Sequence, residues 1–275
     1  MGRWAVSSNY RSFFGFKRDP FAEDVDPNSL LKLPGMCSAK ERMDYALSIG
    51  GVMALSGEVG SGKSTSIRWA LSQYHPSQVK VVRLVGNGGP ITEFYKSLCW
   101  EIGVDLQTNS RSKLIRAFQE AVVDAVRNKR QKVMVVVDEA GLLRPEVFTE
   151  MHVITQFEQD SRHHLALVLA GQRNVIDKIC YRGSAPLASR VIARSHLTSI
   201  TRDQMEEYLS HHARIAGNKN RLFEPDAVTA IQQGSGGLLR KANSLARGAL
   251  IAASAEKQES VSAEHVRIAS SELID

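Results

Sequence analysis

The stretch that decides the fold is GEVGSGKST, at residues 57–65. It fits the pattern G-x-x-x-x-G-K-[ST], in which glycines let backbone N–H groups converge on phosphate oxygens. An apolar run, VMAL at 52–55, precedes it, and a helix-compatible stretch over 65–72 follows. The N-terminus of such a helix adds positive potential beside the bound phosphates. The sequence therefore predicts a nucleotide-binding α/β domain.

Two residues of this loop have distinct chemical roles. The Lys63 ammonium is expected to reach the β- and γ-phosphates of ATP, and the Ser64 hydroxyl is expected to ligate Mg²⁺. ATP and Mg²⁺ are therefore the predicted cofactors. The other expected nucleotide-binding residues of the loop are Gly57, Glu58, Val59, Gly60, Ser61, Gly62 and Thr65.

A second motif, VMVVVDE at 133–139, is an apolar strand that ends in two carboxylates. Ligands in open α/β sheets bind at the carboxyl ends of the strands, so this motif and the phosphate loop converge on one crevice. Asp138 is expected to hold Mg²⁺ through water, and Glu139 to polarise the water that attacks the γ-phosphate. An acidic strand end is a weak signal alone, and its position about 75 residues after Lys63 strengthens it.

Strand-like and helix-like stretches alternate from residue 51 to residue 197. Because the strand-like stretches are apolar on both faces, they predict a buried parallel sheet of five strands. Beyond residue 200 the pattern is helical, with Thr201 as a cap and Pro225 at a first helical position. The predicted strands are 52–56, 79–85, 133–139, 165–171 and 191–197, and the predicted helices are 40–49, 64–74, 91–102, 110–130, 145–159, 173–180, 202–216, 225–234, 238–257 and 262–271.

The chain accordingly divides into three predicted parts. Residues 1–45 are rich in turn formers and aromatic residues, which indicates an irregular arm that packs its aromatics onto a domain. Residues 46–199 are predicted to form the α/β nucleotide-binding domain. Residues 200–275 are predicted to form a small, all-helical lid domain.

The composition is that of an ordinary globular protein, with 43% hydrophobic and 23% charged residues in a chain of 275. Cys37, Cys99 and Cys180 are widely spaced and follow no metal-ligand pattern, so we expect reduced, buried thiols and a cytoplasmic location. The first twenty residues lack the apolar core of a secretion signal. The apolar runs are far shorter than the roughly 20 residues that a membrane span needs, so no membrane association is expected.

The net charge is +6, and basic residues are concentrated in the segment 161–194, where Asp177 is the one acid. Such a concentration indicates a phosphate-bearing partner, either nucleic acid or a nucleotide bound by a neighbouring subunit. A solvated surface with scattered charges is an equally weighted alternative. The basic residues are Arg162, Arg173, Lys178, Arg182, Arg190 and Arg194.

Four polar residues outside the two motifs are further site candidates. Gln172 ends the strand beside the one that carries Asp138, where it is expected to orient the attacking water or sense the γ-phosphate. Arg190 and Arg194 flank the last strand-like piece, and an arginine supplied there to an adjacent subunit would stabilise charge on the transferred phosphoryl group. Arg190 is the favoured finger and Arg194 the second candidate. Arg240, early in a lid helix, is expected to contact the γ-phosphate of its own subunit. Plain structural roles are the alternatives for all four.

Together these residues resemble the AAA+ ATPases of the ExeA (general secretion pathway protein A) type, over most of the chain. The resemblance implies the AAA+ P-loop fold with a helical lid. Arg173 and Leu239 stand where that family usually has proline. The resemblance is carried by the arm pattern Tyr10…Phe14-Gly15-Phe16…Pro20-Phe21, by LALVLAGQ at 165–172, by LASRV at 187–191 and by GGLLRKAN at 236–243.

This family is close to the AAA+ regulators of DNA transposition of the Mu B and TnsC types. The resemblance implies a homo-oligomer, a ring or helical filament, that assembles on double-stranded DNA with ATP. It also implies recruitment of a transposase or target selector, and disassembly on hydrolysis. An ExeA-like accessory ATPase of secretion or envelope assembly, and a signalling or defence NTPase switch, remain alternatives. The candidate DNA-facing residues, for which a solvated helix face is an equal explanation, are Arg111, Lys113, Arg116, Lys129, Arg130 and Lys132.

Overall fold

The computed structural model describes residues 10–157 and 164–272. By its internal contacts the described chain divides into two compact units. The sheet unit contains residues 34–58 and, within the described part, 63–197. The helical unit contains residues 10–33, 59–62 and 198–272, so that four residues of the phosphate loop cluster with the C-terminal helices.

The sheet unit is built on five parallel strands in the order β2-β3-β4-β1-β5. The strands at the centre are buried along almost their whole length because helices cover both faces. The prediction of a parallel five-stranded sheet is confirmed. The strands are β1 Val52–Gly57, β2 Val79–Val85, β3 Lys132–Asp138, β4 Leu165–Gly171 and β5 Val191–Leu197.

The helices alternate with these strands and then follow them. In the sheet unit they include one short helix that the sequence pattern does not predict, α8. In the described residues the α-helices are α1 Tyr10–Phe13, α2 Pro34–Ile49, α3 Lys63–Ser72, α4 Ile91–Ile102, α5 Arg111–Arg127, α6 Pro145–Glu150, α7 Asn174–Cys180, α8 Ala185–Ala188, α9 Arg202–Ile215, α10 Pro225–Ser235, α11 Leu239–Ala255 and α12 Ala263–Ser271.

Two helices of the sheet unit differ by more than three residues from their predicted bounds. Helix α2 begins at Pro34 rather than Lys40, since proline fits the first turn of a helix, where its missing N–H is not needed. Helix α6 ends at Glu150 and gives way to a 3₁₀ helix, Met151–Thr155, where the pattern predicts one helix to residue 159. Residues 158 and 159 lie outside the described residues.

In the helical unit, two predicted helix starts are confirmed, the first by its capping geometry and the second by the position of its proline. The Thr201 side chain accepts from the Gln204 backbone N–H, and the Gln204 side chain accepts from the Thr201 N–H. This reciprocal capping box satisfies two N–H groups that the first turn of a helix leaves without partners. Pro225 stands at the start of α10, as predicted.

The N-terminal arm packs on the helices of the same unit. Tyr10, Phe14, Phe16 and Phe21 are buried in one cluster with side chains of α9 to α12. Backbone and side-chain hydrogen bonds reinforce this packing. They join Lys17 N to Ala216 O (2.8 Å), His212 Nδ1 to Pro20 O (2.7 Å) and Arg247 Nε to Asp19 Oδ2 (2.8 Å). The expectation that the arm packs its aromatics onto a domain is confirmed for its described part.

No helix in the described part of the chain combines the length and the apolar character that crossing a bilayer requires.

Candidate nucleotide site

The phosphate loop joins β1 to α3, as the sequence motif predicts. Gly60 and Gly62 have φ values of 80° and 92°, in the left-handed region that glycine adopts without steric cost. Lys63 is the first residue of α3 and is only 5% exposed. Its ammonium donates to Gly57 O at 3.0 Å and to Glu58 O at 2.9 Å. The loop therefore gathers a buried positive charge and a helix N-terminus beside its own glycines.

The donor set of this loop fits a phosphate group. Within the described residues, the buried Ser61 Oγ has no hydrogen-bond partner. A buried hydroxyl without a partner costs about 1–3 kcal/mol, so such groups in native proteins usually have a ligand or an ordered water. The Ser64 side chain, one residue into α3, is exposed at the helix N-terminus. Ser64 and Asp138 carry oxygen atoms of the hard type that Mg²⁺ prefers.

The two carboxylates of the second motif lie at the carboxyl end of β3. Asp138 Oδ1 accepts from the Glu139 backbone N–H at 2.9 Å, and both residues are partly buried. Glu139 has φ 49° and ψ 35°, a left-handed conformation that costs a non-glycine residue about 1–2 kcal/mol. Such strain persists where the surroundings enforce it, and it is frequent at functional sites.

Gly86, directly after β2, is one of the residues that enforce the Glu139 conformation. Its N–H donates to Asp138 O at 2.7 Å. A Cβ at this position would overlap the Glu139 carbonyl oxygen and lie 2.9 Å from the carbonyl carbon. Sequence reasoning misses Gly86, although a glycine directly after an apolar strand signals a close backbone approach.

Strand order places Gln172 between the two motifs. β4 pairs with β1 on one side and with β3 on the other, so the residue after β4 lies between Gly57 and Asp138 at the carboxyl edge. The Gln172 side chain is exposed, and the Gln172 backbone carbonyl accepts from Val175 N at 3.0 Å, at the start of α7. The sheet thus brings together the residues expected from the first, third and fourth strands.

Arg190 lies at the opposite end of the strands, just before the amino end of β5. Its carbonyl accepts from Val52 N at 3.0 Å, and the next residue, Val191, pairs with Val52 at the amino end of β1. From Val52 to Gly57 the chain advances about 17 Å, at roughly 3.3 Å per residue. That separation exceeds the length of an extended arginine side chain. Arg190 therefore cannot reach the phosphate loop of its own chain.

Arg194 does not flank the last strand, contrary to the sequence-based expectation. It lies inside β5, in register with Ala54, and its side chain is exposed. Arg194 is therefore three positions short of the carboxyl end of β5, where Leu197 pairs with Gly57.

Arg240 is the second residue of α11 and belongs, with Gly60, to the helical unit. Its backbone N–H donates to Gly60 O at 3.2 Å. A Cβ on Gly60 would lie 2.9 Å from the Arg240 Cβ, so this glycine also makes room for the helix N-terminus. The exposed Arg240 side chain is thus anchored, through its backbone, beside one residue of the phosphate loop.

A second contact that sequence reasoning misses precedes the loop. Ser56 Oγ lies 2.9 Å from His196 Nδ1 and 3.4 Å from Ser195 O. Ser56 and His196 are paired residues of β1 and β5 and are 140 positions apart in the chain. No local sequence pattern predicts this side-chain contact, because it forms only when β1 and β5 lie side by side in the sheet.

The candidate DNA-facing basic residues differ in their surroundings. Three candidate DNA-facing residues are engaged in ion pairs, each at 2.8 Å: Arg111 with Glu150, Arg116 with Glu120 and Lys129 with Asp124. These acids reduce the net positive charge of the two helix ends, which linear inspection overestimates. Lys113, Arg130 and Lys132 are exposed.

The basic segment 161–194 is also less uniform than its composition indicates. Arg162 lies outside the described residues. Lys178 is partly buried and donates to two backbone carbonyls of the sheet unit. Arg173 and Arg182 are exposed.

The expectation of three buried thiols is wrong for two of them. All three cysteines are free, but only Cys99 is buried, while Cys37 is partly exposed and Cys180 is exposed. Burial raises the pKa of the Cys99 thiol, so it behaves as a small apolar core residue. Cys180 ends the short helix α7, which leaves its side chain on the surface.

The strand order, the loop after β1 and the carboxylates after β3 define a P-loop protein with the AAA+ fold. Residues 48–179 match the AAA domain family model. The chain is 27% identical, over 267 residues, to General secretion pathway protein A of Aeromonas hydrophila. That match covers 96% of this chain and 48% of the relative, so the chain spans about half the relative's length. These two matches record a similarity to an AAA domain and to an ExeA-type protein.

Solved structures show the same fold at low identity. Cdc6p from Pyrobaculum aerophilum superposes with a TM-score of 0.71 at 18% identity, over 93% of this chain and 70% of that one. The ORC1 protein of Aeropyrum pernix in complex with DNA gives 0.69 at 19%, over 94% and 69%. The RuvB Holliday junction branch migration motor of Thermotoga maritima gives 0.52 at 18%, over 84% and 67%. These neighbours establish the fold of the chain.

Proposed function

We propose that this protein is an ATP hydrolase that works as an assembly of identical copies, each ATP being held by one copy and its hydrolysis completed by the next. The observation that carries the proposal is the position of Arg190. It lies at the amino edge of the sheet, about 17 Å along the strands from the phosphate loop of its own chain. If Arg190 serves a nucleotide, that nucleotide is therefore bound by another copy.

Within one copy, the residues at the carboxyl edge divide the work. Lys63, the loop N–H groups and the helix N-terminus would bind the phosphates, and Ser64 and Asp138 would hold Mg²⁺. The metal would supply positive charge that offsets the charge of the phosphates. The strained backbone of Glu139 aims its carboxylate as the general base for the attacking water. Gln172, between the two motifs, orients that water.

The second copy contributes Arg190. Its guanidinium stabilises negative charge that develops on the transferred phosphoryl group, and fingers of this type raise kcat about 10³–10⁵-fold. In its own copy the Arg190 side chain is held by a hydrogen bond to Pro186 O at 2.7 Å. Arg240, anchored beside Gly60 through its backbone N–H, is the proposed contact to the γ-phosphate within the same copy.

Mixing two inactive variants tests the shared site. Glu139→Gln retains the finger but lacks the base, and Arg190→Ala retains the base but lacks the finger. Each variant alone should hydrolyse ATP very slowly. An equal mixture should recover activity, because some interfaces pair an intact base with an intact finger.

Two further variants make that mixing experiment specific. Arg214→Ala changes an exposed arginine of α9 and should match the unmodified protein. Arg194→Ala tests the second candidate and should retain most activity. If the equal mixture of Glu139→Gln and Arg190→Ala is inactive, the shared site is refuted. If Arg190→Ala alone is active, and Arg194→Ala recovers activity only when it is mixed with Glu139→Gln, the finger is Arg194.

We further propose that the assembly forms on double-stranded DNA in the cytoplasm and regulates DNA transposition by recruiting a transposase or target selector. The net charge of +6 supports a polyanionic partner. An AAA+ neighbour, ORC1 of Aeropyrum pernix, has a structure in complex with DNA. Binding should be independent of sequence and should weaken steeply with salt, since phosphate contacts dominate such binding.

Filter binding and negative-stain imaging with duplex DNA test this role. We expect filaments or rings on DNA with a non-hydrolysable ATP analogue and their loss with ADP. DNA binding that is absent under every nucleotide condition, at low salt, would refute the DNA role. The mixing experiment tests the shared ATPase site independently of this result.

A second candidate function is an accessory ATPase of secretion or envelope assembly. The observation that favours it is the match to General secretion pathway protein A, which extends over 96% of this chain. Co-sedimentation with membranes of the source cell, in parallel with duplex DNA, discriminates the two. Nucleotide-dependent recovery in the membrane fraction, with none on DNA, would favour the second candidate. Recovery on neither would favour a signalling or defence switch.

A further inference from the structure

Side chains of helix α7 hold the turn that follows Glu139 by hydrogen bonds. Lys178 Nζ donates to Gly141 O at 2.7 Å and to Leu143 O at 2.5 Å. Asn174 Nδ2 donates to the same Gly141 O at 3.4 Å. Asn174 and Lys178 are four residues apart, which places both on one face of the helix. Two side chains of α7 therefore hold one carbonyl of the turn.

This turn is continuous with the candidate general base. A 3₁₀ helix, Ala140–Leu142, begins directly after Glu139, and Leu142 N donates to Glu139 O at 2.9 Å. A Cβ on Gly141 would overlap the Asn174 amide oxygen and lie 2.8 Å from its Cγ. The fit between turn and helix is therefore tight, and a shift of either one must move the other.

The electrostatics of the contact are also well matched. Carbonyls at the end of a helical turn carry partial negative charge and lack partners within the turn. The Lys178 ammonium supplies the positive charge and also lies 5.8 Å from the ring centroid of the buried Phe148. Lys178 is partly buried, so solvent screens this contact less than it would a surface pair.

The far end of α7 leads to Arg190 through a series of short helices. After Tyr181 come the 3₁₀ helix Arg182–Ser184 and then α8, Ala185–Ala188. Arg190 N donates to Leu187 O at 3.0 Å, and its guanidinium donates to Pro186 O at 2.7 Å. No long loop interrupts the path from Lys178 to Arg190.

Two buried side chains anchor the segment between α7 and Arg190 in the core of the sheet unit. Ile179 at the end of α7 is 1% exposed, and Leu187 in α8 is 0% exposed. Both side chains belong to the same core cluster of the sheet unit. Because closely packed interiors transmit displacement, a movement of α7 is carried to the segment that holds Arg190.

We infer that Asn174 and Lys178 are positioning residues that couple the Glu139 turn of one copy to the arginine that the same copy offers to the next site. The inference rests on the proposed shared site and deepens it by naming how neighbouring sites influence each other. A shift of the Glu139 turn on ATP binding or hydrolysis moves α7 through the Gly141 carbonyl, and α7 moves Arg190. The nucleotide state of one site then alters the position of the arginine in the neighbouring site.

The complementation pair provides the test, because it separates the two roles of one copy. In a mixture of Glu139→Gln and Arg190→Ala, the first variant supplies only the finger and the second only the base. Lys178→Met, which keeps the length of the stem and removes the donors, is introduced into one partner at a time. The readouts are kcat, KM for ATP and the melting temperature of each variant.

We expect Lys178→Met to lower kcat about tenfold or more when it is placed in the finger-supplying copy, with little change in KM, since misplacement by a fraction of an ångström reduces rates strongly. Placed in the base-supplying copy, it should lower kcat similarly. Lys178→Arg, which keeps donors and charge, should recover part of the activity in both positions. Asn174→Ala should give a smaller loss of the same kind.

The controls separate this inference from its foundation. Lys219→Met, at an exposed lysine of the helical unit, should leave the complementing activity unchanged. If the parent pair does not complement, the shared site itself is wrong. If the pair complements and a folded Lys178→Met in the finger-supplying copy has full activity, the coupling is refuted. If Lys178→Met melts well below its parent, Asn174→Ala and Lys178→Arg decide by the same criterion.

Discussion

Gly86→Ala is the substitution for which the structure makes the sharpest prediction. Its Cβ would overlap the Glu139 carbonyl oxygen, lie 2.9 Å from the carbonyl carbon and lie 3.2 Å from Ala140 Cα. Carbon atoms in van der Waals contact are about 3.5–4.0 Å apart, so the Glu139 peptide must move by roughly 0.5–1 Å. All three close atoms are backbone, and none can move aside by changing a rotamer. The left-handed Glu139 is therefore displaced or released from its strained conformation.

The expected effect of Gly86→Ala is on turnover rather than on nucleotide binding. A misplacement of about 1 Å can lower a rate about 100-fold, whereas the phosphate loop lies on another strand and stays unchanged. Insertion of one methyl group into this packed edge should also reduce the free energy of unfolding by about 1–3 kcal/mol. The assay is steady-state ATP hydrolysis, with binding of a fluorescent ATP analogue and thermal unfolding measured on the same samples.

Gly88→Ala is the matched control, since a Cβ at Gly88 meets no heavy atom within 4 Å and its backbone is not left-handed. It should hydrolyse ATP at the unmodified rate. If Gly86→Ala folds and turns over as fast as Gly88→Ala, the geometry of Glu139 does not set the rate, and the reasoning from backbone strain to catalysis fails.

Three other substitutions test the site and the helical unit. Glu139→Gln should bind ATP normally and hydrolyse it about 10²–10⁴-fold more slowly, and unchanged turnover would remove Glu139 as the base. Ser61→Ala should raise the melting temperature of the nucleotide-free protein, because it removes a buried hydroxyl that has no partner in the described structure. The same substitution should reduce the further rise in melting temperature when ATP is added. An undiminished rise would count against Ser61 as a phosphate ligand. Burial, together with His211 and Arg18, lowers the pKa of His212 from 6.5 to about 4, against the hydrogen bond to Pro20 O. Since the unfolded imidazole takes up a proton below pH 6.5 and the folded one only near pH 4, stability should fall by about 3 kcal/mol across that range, and urea unfolding of His212→Gln should show a flatter pH dependence.

Local sequence patterns predict the strands of this fold well because the strands are buried on both faces. A strand such as β4, LALVLAG, is apolar at every position and is bounded by polar residues, so its ends are visible in the sequence. Helix α6 is predicted less well. Its apolar spacing continues beyond Glu150, and the change to a 3₁₀ helix at Met151 depends on packing against neighbouring elements rather than on propensity.

The candidate site shows the same division. Lys63, Ser64, Asp138 and Glu139 are found from motifs because their chemistry needs fixed residue types at fixed distances from a strand end. Gly86 carries no chemistry, and its importance appears only where β2 lies beside β3. Residues of that kind act through a neighbour that is distant in the chain, so a local window indicates at most a close backbone approach and not the residue that is approached.

The sequence by itself determined the nucleotide chemistry of this protein, because GEVGSGKST and the carboxylates after β3 are local devices whose function follows from residue type and spacing. Only the tertiary structure decided that Arg190 lies at the amino end of the strands, on the far side of the sheet from its own nucleotide site. It also decided that Lys178, one of several basic residues in its segment, holds the turn after Glu139. The physical reason is that a parallel sheet sorts residues by strand direction and order, and both depend on crossover connections between distant segments.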